Sequence, residues 1–157
     1  MLKYLSITGV VIALDQISKW WMVSWLSLYE TVAVMPYFNL TMAHNHGAAF
    51  SFLAQAGGWQ RWFFIGLAVV ISVALIIWLA KLKPTAKWEA ISLSLILGGA
   101  IGNVIDRILH GYVIDFLDVY IGTSHWPAFN IADAAICVGA ILLILDSFKS
   151  ENKSQVI

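Results

Sequence analysis

The sequence predicts an α-helical integral membrane protein, with four transmembrane helices and a small extracytoplasmic β-sheet. Three observations predict it. Of the 157 residues 61% are hydrophobic and only 11% charged, against roughly a quarter charged in a soluble domain. Four stretches are long and apolar enough to cross a hydrocarbon core, which takes about 20 residues of helix with every backbone polar group satisfied internally. Lysines gather on one set of connections and are missing from the others, the asymmetry that a bilayer imposes on its loops.

The first span, about 4–28, is broken by Asp15 and Lys19. Lys3 ahead of an apolar run resembles the start of a cleavable signal, but no small-residue cleavage pattern follows and hydrophobicity resumes through WWMVSWL, so an uncleaved span is expected. The second, 62–80, has no ionisable side chain and reads as scaffold. The third, 88–109, is apolar to Ile101 and ends in Asn103, Asp106 and Arg107. The fourth, 132–148, opens on a polar cluster and continues as AAICVGAILLIL. Cys137 lies in that run with no second cysteine, which excludes an intrachain disulfide and predicts a small buried hydrophobe.

Lys81, Lys83 and Lys87 lie between the second and third spans, whereas 112–130 holds no Lys or Arg. The positive-inside rule therefore puts the lysine-bearing connection in the cytoplasm. Lys3, Lys149 and Lys153 then fall on the same side, as an even number of spans requires. The outer segments, 29–61 and 112–130, face out. Partial alternation and aromatic content in PYFNLTMAHNHGAAFSF, residues 36–52, predict short strands there. No repeat or linker divides the chain, so residues 1–157 are read as a single membrane domain. Basic and acidic residues cancel to zero net charge, leaving no basic field for nucleic acid.

Ionisable groups inside a span cost roughly 2.5 to 3.5 kcal/mol each on insertion scales, so each needs a reason. Asp15 and Lys19 are four apart and can neutralise one another as an architectural pair, or brace an outer site. Gly98 and Gly102 have the small-xxx-small spacing of close helix packing. Asn103, Asp106 and Arg107 continue the face that Gly99 begins. Asp106 and Arg107 are either an interfacial salt bridge, with Arg107 snorkelling, or the polar end of a functional face. Asp118 and Asp146 read as interfacial charges.

Asp115 follows the third span and Asp133 opens the fourth. One span runs outward and the next returns, so both aspartates lie near the same outer face. Asn130 and Asp133 also have the spacing of an N-cap and its third helical position, which alone would explain both residues. Two carboxylates held close and partly desolvated share a proton near neutrality. One can then take a proton from an attacking water while the other hydrogen-bonds the developing oxyanion. No metal or cofactor is required. His44, His46, His110 and His125 are scattered and form no metal-ligand pattern, and no Ser or Cys nucleophile stands beside a matched base.

The blocks LDQISK (14–19), NHGAAFS (45–51), GGAIGNVIDR (98–107), VIDF (113–116) and FNIAD (129–133), in this order over nearly the whole chain, resemble the bacterial lipoprotein signal peptidases, also called signal peptidase II. The resemblance implies that Asp115 and Asp133 are the catalytic dyad of an aspartic endopeptidase. It implies that Asn45, Asn103, Arg107 and Asn130 line the substrate site, and that Asp15, Lys19 and Asp106 support the architecture. Gly47 would allow a tight turn in the outer sheet. The implied substrates are prolipoproteins carrying diacylglycerol on a cysteine, cut just before that cysteine in the cytoplasmic membrane. Inhibition by globomycin is implied too.

Two readings from other classes compete. A small four-helix proton-coupled multidrug transporter would use Asp15 as its coupling carboxylate, but such proteins have short loops and midplane sites. A non-enzymatic membrane assembly factor would need the buried charges only for architecture.

Overall fold

The structure is a computed structural model and describes residues 1–47 and 57–154. After a single 3-10 turn, Leu2–Tyr4, the chain forms α1 (Leu5–Trp25), β1 (Thr31–Met35), β2 (Phe38–Asn45), α2 (Gln60–Lys81), α3 (Lys87–Leu109), β3 (Val113–Ile121), β4 (Ser124–His125) and α4 (Ile131–Ser154). Among the described residues α2, α3 and α4 as far as Phe148 are long and apolar enough to cross a membrane. The 21 residues of α1 are not counted with them. Asp15, Gln16, Ser18 and Lys19 interrupt its apolar run.

α3 is the hub and packs against all three other helices. Its glycines make that possible. A Cβ on Gly98 would meet the Val11 side chain of α1 at 2.7 Å, one on Gly99 would strike the Ala132 carbonyl oxygen of α4, and one on Gly102 would meet Asp15 Oδ2 at 2.7 Å. The small-residue face therefore serves two neighbours. Leu75 and Leu79 of α2, one turn apart, are buried with Ala90, Leu93 and Leu97 of α3. Thr8 Oγ1 donates to Ser94 O at 2.9 Å, a polar bond between α1 and α3.

The outward faces are apolar. Trp62, Val70 and Ile77 of α2 and Val138, Ile141 and Leu145 of α4 are exposed, a larger apolar surface than a soluble monomer carries. Cys137 lies on this outward side and is exposed, not buried as expected. The reason is helical phase: its neighbours Ala135 and Gly139 turn inward and Cys137 turns away.

The four strands form one antiparallel sheet in the order β1-β2-β3-β4. β1 and β2 are joined through Pro36 and Tyr37, and Tyr37 has φ 71°. Proline followed by a left-handed residue is the type II turn signature. Met22 of α1 and Leu26 just after it pack with Met42, Ile114 and Phe116 on one sheet face. Of the stretch 36–52 expected to hold short strands, β2 occupies Phe38–Asn45 and residues 48–52 lie outside the described residues; its partner β1 starts earlier, at Thr31. The nine-residue β3 was not anticipated. Its charges, Asp115 and Asp118, hid the strand pattern because both are buried. Residues 48–51 of the NHGAAFS block lie outside the described residues.

Candidate active site

Asp115 and Asp133 reach the site from different elements. Gly111, at φ 86°, turns the chain out of α3 and lets β3 start at Val113. Asp106, at the end of α3, fixes that strand: its Oδ2 accepts the Ile114 backbone N–H at 3.0 Å. Asp115 is the next residue, and its side chain leaves the strand on the opposite face from Ile114.

Asn130 ties the two aspartates together. Its Nδ2 donates to Asp115 Oδ1 at 2.7 Å. Its Oδ1 accepts the Asp133 N–H at 2.9 Å, and its own N–H donates to Asp133 Oδ2 at 3.3 Å. The last two bonds are a reciprocal cap at the start of α4. The capping role and the convergence of the carboxylates therefore coexist. Asn45 Nδ2 donates to Asp115 Oδ2 at 3.1 Å, and Asn103 Nδ2 to Asp133 Oδ1 at 2.7 Å. Burial pushes the Asp115 carboxyl up to about 7, and the nearby Asp133 charge adds to the rise, against the amide bonds from Asn45 and Asn130 and the charge of Lys19.

Beneath the aspartates lies a closed ionic layer. Lys19 Nζ is 2.8 Å from both Asp15 Oδ2 and Asp106 Oδ2, and all three side chains are almost fully buried. Lys19 also donates to Asn103 Oδ1 at 3.1 Å. Asp15 Oδ1 accepts the Ala132 N–H at 2.9 Å, so a carboxylate of α1 caps the first turn of α4. The expected Asp15–Lys19 pair is present and belongs to this larger network.

Two sequence expectations change. Asp106 and Arg107 form no salt bridge with one another; consecutive helical residues diverge by about 100°, and Asp106 turns to Lys19. Arg107 instead donates from Nη2 to Gly47 O at 2.7 Å and lies over the Phe64 ring at 5.1 Å. At Gly47 the chain bends, with its N–H donating to Asn45 Oδ1 at 3.0 Å, and its carbonyl is the one that Arg107 uses. Asp118 is not an interfacial charge but is buried, accepting from Asn39 Nδ2 at 2.9 Å and pairing with His125 Nδ1 at 2.8 Å.

Sequence reasoning passed over Gln16. Its Nε2 bonds Asp15 Oδ2 at 3.1 Å, Asp106 Oδ1 at 2.9 Å and Gly102 O at 3.2 Å. Its polarity in mid-span, beside Asp15, was the available signal. Nor are the histidines all scattered: His44, His46 and His110 gather around Tyr112, with ring centroids 3.8, 5.4 and 5.8 Å from it. Among the described residues no three His, Cys, Asp or Glu side chains are grouped to hold a metal ion.

Known proteins resemble this chain over nearly its whole length. Residues 7–149 match the family model described as Signal peptidase (SPase) II. The lipoprotein signal peptidase of Alteromonas mediterranea is 54% identical over 154 residues, 98% of this chain and 85% of the relative. That of Shewanella pealeana is 52% identical over 158 residues, covering 98% and 92%. A bacterial membrane enzyme solved by the in meso method at 2.3 Å superposes with a TM-score of 0.88 at 31% identity, covering 98% of this chain and 92% of the other. A second, solved at 1.9 Å, gives 0.82 at 32% identity over 95% and 94%. With the family model spanning most of its length and relatives above half identity over nearly all of it, this chain belongs to the signal peptidase II family.

Proposed function

We propose that the protein is a membrane aspartic endopeptidase that removes the signal peptide from diacylglyceryl-modified prolipoproteins, cutting just before the lipidated cysteine, with Asp115 and Asp133 as the catalytic pair. The observation that carries the reading is the double tie of Asn130 to Asp115 and Asp133. It holds a buried carboxylate, Asp115, and a half-buried one, Asp133, at one edge of the helical bundle, beside the sheet. Membership of a signal peptidase family supplies the reaction class.

The pair shares one proton. Asp115, its carboxyl pushed up to about 7, keeps that proton to near neutrality and hydrogen-bonds the scissile carbonyl as it becomes an oxyanion. The partner carboxylate takes a proton from the attacking water. The proton then passes to the departing amine, and the bond between the residue ahead of the cysteine and the cysteine nitrogen breaks. Asn45, Asn103 and Asn130 orient the carboxylates. Arg107, through Gly47 O, fixes the end of β2 over the site. Asp15, Lys19 and Asp106 support it from below.

In this reading α1 is the fourth span, its charges neutralised internally. Both termini are cytoplasmic, and the sheet with the dyad is at the outer face of the cytoplasmic membrane. An apolar signal helix and its acyl chains then stay in hydrocarbon while the scissile bond reaches the carboxylates. Globomycin-type peptides would compete for the same place. The transporter alternative loses its footing because Asp15 is committed to Lys19, Gln16 and the Ala132 N–H.

The test is cleavage of a diacylglyceryl-modified prolipoprotein by the purified protein in detergent with a chelator present. Wild type should cut, and Asp115→Asn and Asp133→Asn, folded by thermal unfolding, should each lose about 10³-fold or more in kcat. Normal cutting by either variant would remove the dyad. An inert wild type would remove the peptidase reading.

A further inference from the structure

A second recess lies behind the sheet. A cavity of about 530 Å³ is lined by Trp20, Val23, Leu26 and Leu28 from α1 and its exit, by His44 and Tyr112 from the strand region, and by His110 after α3. The size suits a small molecule. Ile114 also lines it, and because alternate strand residues face opposite ways, Asp115 lies on the other face of the sheet. The cavity is therefore separate from the aspartate pair.

Its polar lining is of two kinds. Gln16, Lys19 and Asp106 form the floor, and their charges and amide are already matched to one another. They ask nothing of a ligand. His44, His110 and Tyr112 are different: they stack on one another through their ring faces, and no hydrogen bond to their side chains is found among the described residues. Burial, then the neighbouring His46 and His110, lowers the pKa of His44, so it is a neutral imidazole with one N–H to donate. The remaining wall is apolar and opens beside Trp20 and Leu109, which are 74% and 66% exposed. Tryptophan at such a rim marks the depth of lipid headgroups.

The occupant follows from this lining. A purely apolar ligand would leave three donors unmatched as it desolvated them. A charged peptide would find no free counter-charge, since Lys19 is held between two aspartates. We propose that the cavity binds a membrane glycerophospholipid, one acyl chain lying along Trp20, Val23, Leu26 and Leu28 and the ester and phosphate oxygens accepting hydrogen bonds from His44, His110 and Tyr112. With Lys19 held between Asp15 and Asp106, the headgroup meets hydrogen-bond donors rather than an unpaired lysine. A bound lipid would also seal the side of the sheet opposite Asp115.

The test uses the full chain in vesicles of phosphatidylethanolamine and phosphatidylglycerol that contain a phosphatidylethanolamine with a photoreactive group on one acyl chain. Mass spectrometry locates the adducts. The expected result is enrichment on Trp20, Val23, Leu26 and Leu28 over Val70 and Ile141, which are on the exposed faces of α2 and α4. Val23→Trp, which fills the cavity, and His44→Ala with His110→Ala should each reduce cavity labelling about tenfold without changing the labelling of Val70. The double alanine variant decides alone if Val23→Trp does not fold. Uniform labelling, or cavity labelling unchanged in the variants, overturns the proposal. So does complete displacement of the label by lipidated prolipoprotein, which would make the substrate's own lipid the occupant.

Discussion

Lys19 donates to Asn103 Oδ1 at 3.1 Å, and this contact decides which end of the Asn103 amide meets Asp133. A lysine ammonium only donates. The amide oxygen must therefore turn to Lys19, which leaves Nδ2 facing Asp133 Oδ1 at 2.7 Å. Asn130 Nδ2 reinforces the choice by donating to the same Asn103 oxygen at 3.2 Å. A buried charge on α1 thus orients a donor on α3 toward a carboxylate on α4.

Lys19→Met should break this chain. It leaves Asp15 and Asp106 buried without their counter-charge, which costs about 3 kcal/mol or more. Adding Asp106→Asn should recover part of the loss, because the two changes act on one network and are not additive. Thermal unfolding of the single and double variants in detergent checks this; additive losses would mean that the three groups are energetically independent.

The pH dependence follows from Asp115. In the unfolded chain its carboxyl titrates near the ordinary 3.8, in the fold near about 7. Between those values the folded protein binds more protons than the unfolded one, so this group makes stability fall as pH rises, and the effect is complete above about 7. The melting temperature of wild type relative to Asp115→Asn should therefore decline between pH 5 and pH 8. A constant difference would contradict a protonated Asp115.

Cleavage should show a matching alkaline limb near pH 7, where the pair loses its shared proton. The Asn45 hydrogen bond holds the Asp115 carboxyl down, so Asn45→Ala should move that limb to higher pH. Profiles of kcat/KM for the two proteins are the measurement, and a shift to lower pH would reverse the assignment.

Gly99 and Gly9 should respond oppositely to alanine. At Gly99 the new methyl strikes the Ala132 carbonyl, one residue before Asp133, so α4 must move. A loss of about 1 to 3 kcal/mol is expected, with cleavage falling further than stability. At Gly9 no atom lies within 4 Å of the new methyl, and helix propensity favours alanine by up to about 1 kcal/mol. Thermal unfolding and cleavage of both variants separate the two cases.

Tyr37→Gly should stabilise the β1–β2 turn. Tyr37 has φ 71°, where a side chain costs roughly 1 to 2 kcal/mol and glycine does not. The variant also loses the Tyr37–Tyr120 ring contact at 6.5 Å, so the net gain should be under about 1 kcal/mol. A higher melting temperature is the expected reading.

The sequence by itself determined the class of the molecule and the residues worth attention. Apolar length marked out α2, α3 and α4, whose bounds follow local composition. Ionisable groups inside the spans or at their outer ends are conspicuous in so apolar a chain, so Asp15, Lys19, Asp106, Asp115 and Asp133 stood out. Partnerships were not, because they depend on which helix faces cross. Only the tertiary structure turned Asp106 toward Lys19 and Arg107 toward Gly47, buried Asp118, exposed Cys137 and made Asn130 both the cap of α4 and the tie to Asp115. The strand that carries Asp115 was hidden for the same reason. Its carboxylates look like solvent-facing residues until asparagines from β2 and from the start of α4 arrive to satisfy them.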